Sequence, residues 1–190
     1  MRRESPSFQA YVTPWGHVRA IEVDSMHCPF ALDAAADKYN AKAKAFITKR
    51  QDGRRVNWID PTFYNCEYAE QEEWLEKAVF EARRRGIRSA GLLKAAISER
   101  YWRPNTYEQG RVDLYDGRIA FLAPRGGLRL KTKRGVRVIA EGKPVKGSDF
   151  PSALVLLGPG FKPRTGFYRD GATGLLIPPG TARIARRRAA

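Results

Sequence analysis

Val56-Asn57-Trp58-Ile59-Asp60-Pro61-Thr62-Phe63, with the charged stretch that follows it over residues 67–85, decides the fold. Val56 to Ile59 reads as a short apolar strand. It stops at Asp60-Pro61, because proline supplies no ladder N–H and biases the residue before it toward extended geometry. Asp60 is therefore expected at the carboxyl end of a strand. Residues 67–85 read as a helix: Trp74, Leu75, Ala78, Val79 and Ala82 share one face, and Gly86 closes it. Glu67, Glu70, Glu72 and Glu73 lie near its start and Arg83, Arg84 and Arg85 at its end, matching the helix dipole at both ends. Those arginines read either as a solvated helix end or as part of a basic surface.

Outward from this segment the pattern repeats. Residues 31–36 form a short apolar strand ending at Asp33, residues 34–45 are alanine-rich and helix-compatible, and residues 87–96 read as a buried strand. Strand, helix, strand, helix, strand at this spacing predicts parallel crossover units, hence the α/β class with a Rossmann-like sheet. After Pro104 the chain changes to glycine-punctuated short strands over residues 111–114, 118–122, 135–140 and 153–157, which predict an antiparallel C-terminal hairpin. The expected organisation is a mobile arm over residues 1–10, one domain over 11–157, and a basic, loosely ordered tail over 158–190 carrying Arg186-Arg187-Arg188.

Composition narrows the function. With 190 residues, 43% hydrophobic and 11% aromatic, the chain can bury one full core. The net charge of +15 is uneven: residues 111–190 hold 17 Lys/Arg against 5 Asp/Glu. Such a surplus attracts polyanions through phosphate contacts and counterion release, so nucleic acid is the leading partner, with a plain solubility surface as the alternative. No run approaches the roughly 18 to 20 apolar residues of a membrane span, and the Met1-Arg2-Arg3 start lacks a signal peptide's apolar stretch, so no membrane partner and a cytoplasmic location are expected. Cys28 and Cys66 show no pairing or zinc-site pattern, and His17 and His27 lack partners for a metal, so no metal is expected. Ser152 has no accompanying base, and Gly126-Gly127 and Gly158-Pro159-Gly160 read as turns. Tyr101-Trp102 fits either the core or a stacking role.

In open α/β sheets ligands bind beyond the carboxyl ends of the strands, where Asp33 and Asp60 are both predicted. Each could also simply cap the turn that follows it. Asp60-Pro61-Thr62-Phe63 resembles the Asp/Asn-Pro-Pro-Tyr/Phe loop of methyltransferases acting on exocyclic amines, with Thr62 in place of the second proline. Other segments match in the same order. Tyr11-Val12-Thr13-Pro14 resembles an aromatic-x-Thr-Pro opening, and Leu32-Asp33-Ala34-Ala35-Ala36 with Asn40-Ala41-Lys42 resembles a first cofactor segment. Trp74-Leu75-Glu76-Lys77-Ala78 resembles a Trp-x-x-Lys-Ala helix, and Gly117-Arg118-Ile119-Ala120-Phe121 and Phe150-Pro151-Ser152-Ala153 resemble terminal strands. Over about residues 11–157 the chain resembles the phage N-6-adenine DNA methyltransferase (Dam-like) family.

The resemblance implies a Rossmann-like methyltransferase sheet and S-adenosylmethionine-dependent methylation of adenine in double-stranded DNA, phage-encoded and protective against host restriction in the host cytoplasm. A base amine inside a duplex cannot reach a methyl donor, so the adenine must be flipped out. Asp60 Oδ and the Pro61 carbonyl would then accept its amine hydrogens and Phe63 would stack on the base, worth roughly 1–3 kcal/mol, with Asp60, Pro61, Thr62 and Phe63 as the catalytic loop. Tyr11, Thr13, Pro14, Asp33, Ala34, Ala35 and Asn40 would hold the donor. Arg125, Arg129, Lys131, Lys133 and Arg134 would contact phosphates. A glycine-rich turn after the first strand, usual in the wider class, is replaced by Asp37-Lys38-Tyr39. The alternatives are a catalytically degenerate DNA-binding protein of the same fold, or an amine methyltransferase acting on RNA or protein.

Overall fold

The computed structural model describes residues 11–132, 135–145 and 150–178. Helix α1 (Trp15–Ile21) continues into a π-helical turn (Glu22–Met26) that ends at His27 in the left-handed conformation, φ 58°. There follow β1 (Leu32–Asp33), β2 (Ala45–Phe46), β3 (Thr62–Tyr64), α2 (Gln71–Arg85), β4 (Ser89–Lys94), α3 (Trp102–Asn105), β5 (Arg111–Asp116), β6 (Leu128–Thr132), β7 (Gly135–Ile139), β8 (Ser152–Leu157), β9 (Arg164–Asp170) and β10 (Leu176–Ile177).

The fold is mixed α/β. Eight strands form one sheet in the order β10-β9-β5-β8-β4-β3-β1-β2, and β6 and β7 form a separate antiparallel pair. The β2-β1-β3-β4 half is parallel throughout. The antiparallel member sits inside the sheet: β8 runs opposite to both β4 and β5, while β9 is parallel to β5 and β10 closes the edge antiparallel to β9.

All six residues of β8 are buried, because both faces of the sheet are covered. Alternation of side chains divides them. Leu154 and Leu156 pack with Phe63, Leu92 and the α1 residues Val18 and Ile21, whereas Ala153, Val155 and Leu157 pack with Tyr64, Leu93 and the α2 residues Trp74, Leu75 and Ala78. The α2 face is the one read from the sequence, and Gly86 ends that helix at φ 65°, a conformation glycine adopts without strain.

Four local expectations need correction. Residues 34–45 form turns ending in β2, with no helix. Asp37 Oδ1 accepts from the Tyr39 and Asn40 amides at 2.7 and 3.1 Å and Asn40 Oδ1 from the Asp37 amide at 2.8 Å, so these side chains take the amides a helix would need. Residues 56–59 form no strand: the Trp58 amide donates to Glu81 and its indole N–H to the Gly53 carbonyl at 2.8 Å. The strand begins at Thr62, so Asp60-Pro61 lies at its amino end. Residues 118–122 bury Ile119 and Phe121 but make only single bridges, Leu122 with Val12 and with Pro144. Finally, residues expected in a loose tail build β9 and β10, while residues 179–190, Arg186 to Arg188 among them, and the arm over residues 1–10 lie outside the described residues.

A buried charge network holds β9 in place. Arg169, fully buried, donates to Asp113 at 2.9 Å, to both oxygens of Asp24 at 2.8 and 2.9 Å, to Ser25 at 2.7 Å and to the Gly174 carbonyl. Arg111 grips the other side of Asp113 through two bonds of 2.7 Å. The π-helical turn, β5 and β9 are thereby tied together.

Candidate active site

The carboxyl ends of β1 and β3 open onto a cavity of about 390 Å³, within the usual range for small-molecule sites of roughly 300–1,000 Å³. Asp33 ends β1 and is buried, with Oδ2 accepting from the Lys42 amide at 2.9 Å and Oδ1 from the Ala35 amide at 3.3 Å. Burial pushes its carboxyl up to about 6, against the pull of those two amides and of the Lys42 charge. The opposite wall is the loop over residues 47–54. There Gly53 approaches so closely that a Cβ would collide with the Ala34 carbonyl and the Trp74 ring. The absent side chain of Gly53 thus lets this loop pack directly on the end of β1 and on α2. Arg54 ties this loop to the start of α2, pairing with Asp52 at 2.8 Å, Glu70 at 3.6 Å and Glu73.

At the end of β3 stands Asn65, which lines the cavity and whose Nδ2 donates to the Thr13 hydroxyl at 3.0 Å. The following Cys66 is buried, and burial pushes its thiol far up. Glu67 accepts from Lys49 of the opposite loop at 2.7 Å. Tyr68 meets Phe150 edge to face at 4.6 Å. Asn65-Cys66-Glu67-Tyr68 therefore places an amide just past a strand's carboxyl end and, three residues on, an aromatic ring as the first residue of the 3₁₀ turn (Tyr68–Glu70) that leads into α2.

The structure gathers Tyr11, Thr13, Asp33, Ala34, Ala35 and Asn40 around this cavity; Pro14 instead precedes α1 as its N-cap. Phe63 also lines it, though it is almost wholly buried against Phe30, ring centroids 5.4 Å apart. Asp60 is not brought there. Three residues of strand rise, on the order of 10 Å, separate Thr62 from Asn65, and Asp60 lies beyond Thr62. Its carboxylate pairs with Arg88 at 2.7 Å and accepts the Arg88 amide at 2.6 Å. Partial burial pushes the Asp60 carboxyl up, but these Arg88 contacts outweigh it and hold the group below the ordinary range. The Pro61 carbonyl accepts from the Ala31 and Leu32 amides at 2.9 and 3.3 Å, and Thr62 is fully buried with its hydroxyl on the Ile59 carbonyl.

Of the basic candidates, Arg125 and Arg129 are exposed, and the Arg125 guanidinium stacks on Tyr39 at 4.1 Å. Lys131 belongs to β6, while Lys133 and Arg134 lie outside the described residues. Among the described residues no helix is long and apolar enough to cross a membrane, and no cluster of three His, Cys, Asp or Glu could hold a metal.

Sequence reading did not single out Asn65, Tyr68 or the 47–54 loop, and reached Lys42 only as the end of the Asn40-Ala41-Lys42 segment. A signal existed: Thr62-Phe63-Tyr64 is a β-branched and aromatic triplet running directly into Asn65-x-x-Tyr68 and the acidic helix start.

The strand-end cavity with this loop beside it is a site of small-molecule size in a mixed α/β protein. Residues 6–165 match the DNA N-6-adenine-methyltransferase (Dam) family, and the chain belongs to that family. No curated protein and no solved structure matches the chain.

Proposed function

We propose that this protein transfers the methyl group of S-adenosylmethionine to the exocyclic amine of adenine in double-stranded DNA, and that Asn65-Cys66-Glu67-Tyr68, not Asp60-Pro61-Thr62-Phe63, is its amine-holding loop. The observation that carries this is Asn65 at the carboxyl end of β3, beside the cavity that Asp33 enters from the neighbouring strand. Asn65 and Tyr68 are the first and fourth residues of the Asn-Pro-Pro-Tyr form of the loop.

The cavity fits the donor in size and chemistry. Its walls carry four acids, Asp33, Asp37, Asp52 and Glu70, and four bases, Lys42, Lys49, Arg50 and Arg54, suited to a ligand bearing both signs of charge. The Trp74 indole N–H is buried without a hydrogen-bond partner among the described residues. Asp33, Asn40, Thr13 and the 47–54 loop would hold the donor, which when bound supplies an electrophilic sulfonium methyl.

With Nδ2 engaged by Thr13, Asn65 Oδ1 faces no protein donor among the described residues and can accept a hydrogen from the adenine amine, aiming the nitrogen lone pair. Tyr68 would stack on the flipped base in place of its lost neighbours. Rate acceleration then comes from orientation, with no covalent enzyme intermediate. Arg125 and Arg129 would contact phosphates. The Rossmann-like reading of the sheet, and the role of protecting phage DNA from restriction, rest on the resemblance to the phage enzymes.

The test is incorporation of labelled methyl groups into duplex DNA by the natural protein and by Asn65→Ala and Asp60→Ala. Loss on Asn65→Ala with retention on Asp60→Ala is expected. The reverse result would return the loop to Asp60. The absence of both prolines at Cys66 and Glu67 favours a second reading, a DNA-binding protein without activity, for which absence of label with all three proteins together with retained binding of duplex DNA by the natural chain would be the evidence.

A further inference from the structure

Lys42 carries a second and more specific feature of the cavity. Of the four cations in its walls, Lys49 is paired with Glu67, Arg54 with Asp52, Glu70 and Glu73, and Arg50 is exposed to water. Lys42 is only 6% exposed, yet no carboxylate of the described residues lies within 4.0 Å of its ammonium. The nearby Asp33 carboxylate is already held by main-chain amides, one of them that of Lys42 itself. The ammonium instead rests on the face of Trp15, 4.9 Å from the ring centroid. Burial pulls its pKa down, partly offset by the fields of Asp33 and Asp37.

The stem of Lys42 is buried while its ammonium, which no carboxylate or hydrogen-bond acceptor among the described residues holds, is left accessible to an incoming anion. The partner must be an anionic group small enough to reach the cavity wall. A duplex phosphate, fixed to its backbone, suits the exposed arginines rather than a lysine set in the wall of a cavity. A free carboxylate on a ligand that fills the cavity suits Lys42. Resting on the reading of the cavity as the donor site, we propose that Lys42, held by Trp15, is the anchor for the carboxylate of the donor's methionine end. This orients the donor: its amino-acid end lies at Lys42 and Trp15, leaving the 47–54 loop and Trp74 for the nucleoside end.

The test compares binding of S-adenosylmethionine and decarboxylated S-adenosylmethionine by calorimetry to the full chain, to Lys42→Gln and to Lys42→Arg. The natural protein is expected to prefer the carboxylate-bearing donor by about tenfold to a hundredfold, the worth of one charge-assisted hydrogen bond. Lys42→Gln should bind both compounds equally, and Lys42→Arg should restore part of the preference. A preference that survives in Lys42→Gln overturns the assignment. So does equal binding of the two compounds by the natural protein, a result independent of how any variant folds. If the natural protein binds neither, the donor-site reading itself falls and this assignment with it.

Discussion

Asn65 Nδ2 donates to the Thr13 hydroxyl at 3.0 Å across 52 residues of chain, joining the segment before α1 to the end of β3. Thr13 is 4% exposed, so this is a buried contact and not an exchangeable surface one. In this arrangement Nδ2 faces Thr13 and Oδ1 is left without a protein donor among the described residues. Thr13, expected from the sequence to touch the donor, would then also orient Asn65, the residue proposed to receive the amine.

Thr13→Val keeps the shape of the side chain and removes that acceptor. One hydrogen bond is worth about 0.5–1.5 kcal/mol, so kcat for methyl transfer should fall about three- to tenfold while donor affinity stays within about twofold. Steady-state kinetics with separate donor titration checks this. A change in donor affinity with kcat intact would place Thr13 on the donor and not on Asn65.

Asp60 and Arg88 make the opposite case. Their side chains are about a third exposed, 35% and 31%, so the ion pair itself is worth little. Asp60 also accepts the Arg88 amide at the point where β3 and β4 begin. Asp60→Ala should therefore lower unfolding stability by about 1 kcal/mol and leave the transfer rate within a factor of two. Urea denaturation alongside the methylation assay measures both.

The difference between Asp60 and Asn65 shows what was legible in the sequence. Helix α2 was readable because its apolar face, acidic start, basic end and Gly86 all agree. β1, β4, β5, β7 and β8 were readable from short apolar runs between turn residues. The register around Asp60 was not, because Val56-Asn57-Trp58-Ile59 has strand composition while its Trp58 is claimed by Gly53 and Glu81, partners remote in sequence. β9 was hidden for a similar reason: Arg169 looks like a tail residue until Asp24 and Asp113 are brought to it. The cavity was legible in the residues that share a motif, Lys42 among them, and illegible in Gly53 and in the Lys42–Trp15 contact, which depend on what packs beside them.

Gly53→Ala would push a methyl group into the Ala34 carbonyl and the Trp74 ring. Neither can retreat easily, since Ala34 follows β1 and Trp74 stacks on Tyr64, ring centroids 6.0 Å apart. The 47–54 loop must shift outward, at about 1–3 kcal/mol. Donor affinity should fall at least tenfold, with Tm lowered by only a few degrees. Unchanged donor affinity would show that this wall is not used.

Arg169→Ala would take away the partly buried Asp24's counter-charge and one of the two arginines on buried Asp113, leaving Arg111 in place, a loss of up to about 3 kcal/mol. Truncation after Gly158 removes β9, β10 and Arg169 together. Both changes should yield protein that unfolds at markedly lower urea concentration than the natural chain. A truncated chain of natural stability would restore residues 158–178 to the status of a dispensable tail.

Two buried groups oppose each other in pH dependence. Burial raises Asp33 from 3.8 to about 6, so between those values the native state holds a proton that the unfolded chain has lost, and stability from this group falls as pH rises. His17 is the reverse: burial, then the Arg169 charge, lower it from 6.5 to about 4 against a small pull from Asp170, so the unfolded chain holds the extra proton and stability rises with pH across that window. The two slopes, each at most about 1.4 kcal/mol per pH unit, nearly cancel. His17→Gln removes one of them. The natural protein should therefore gain about 3 kcal/mol of stability relative to His17→Gln between pH 4 and 6.5, read from urea denaturation at half-unit steps. A constant difference across that range would mean that His17 keeps its ordinary titration in the folded protein.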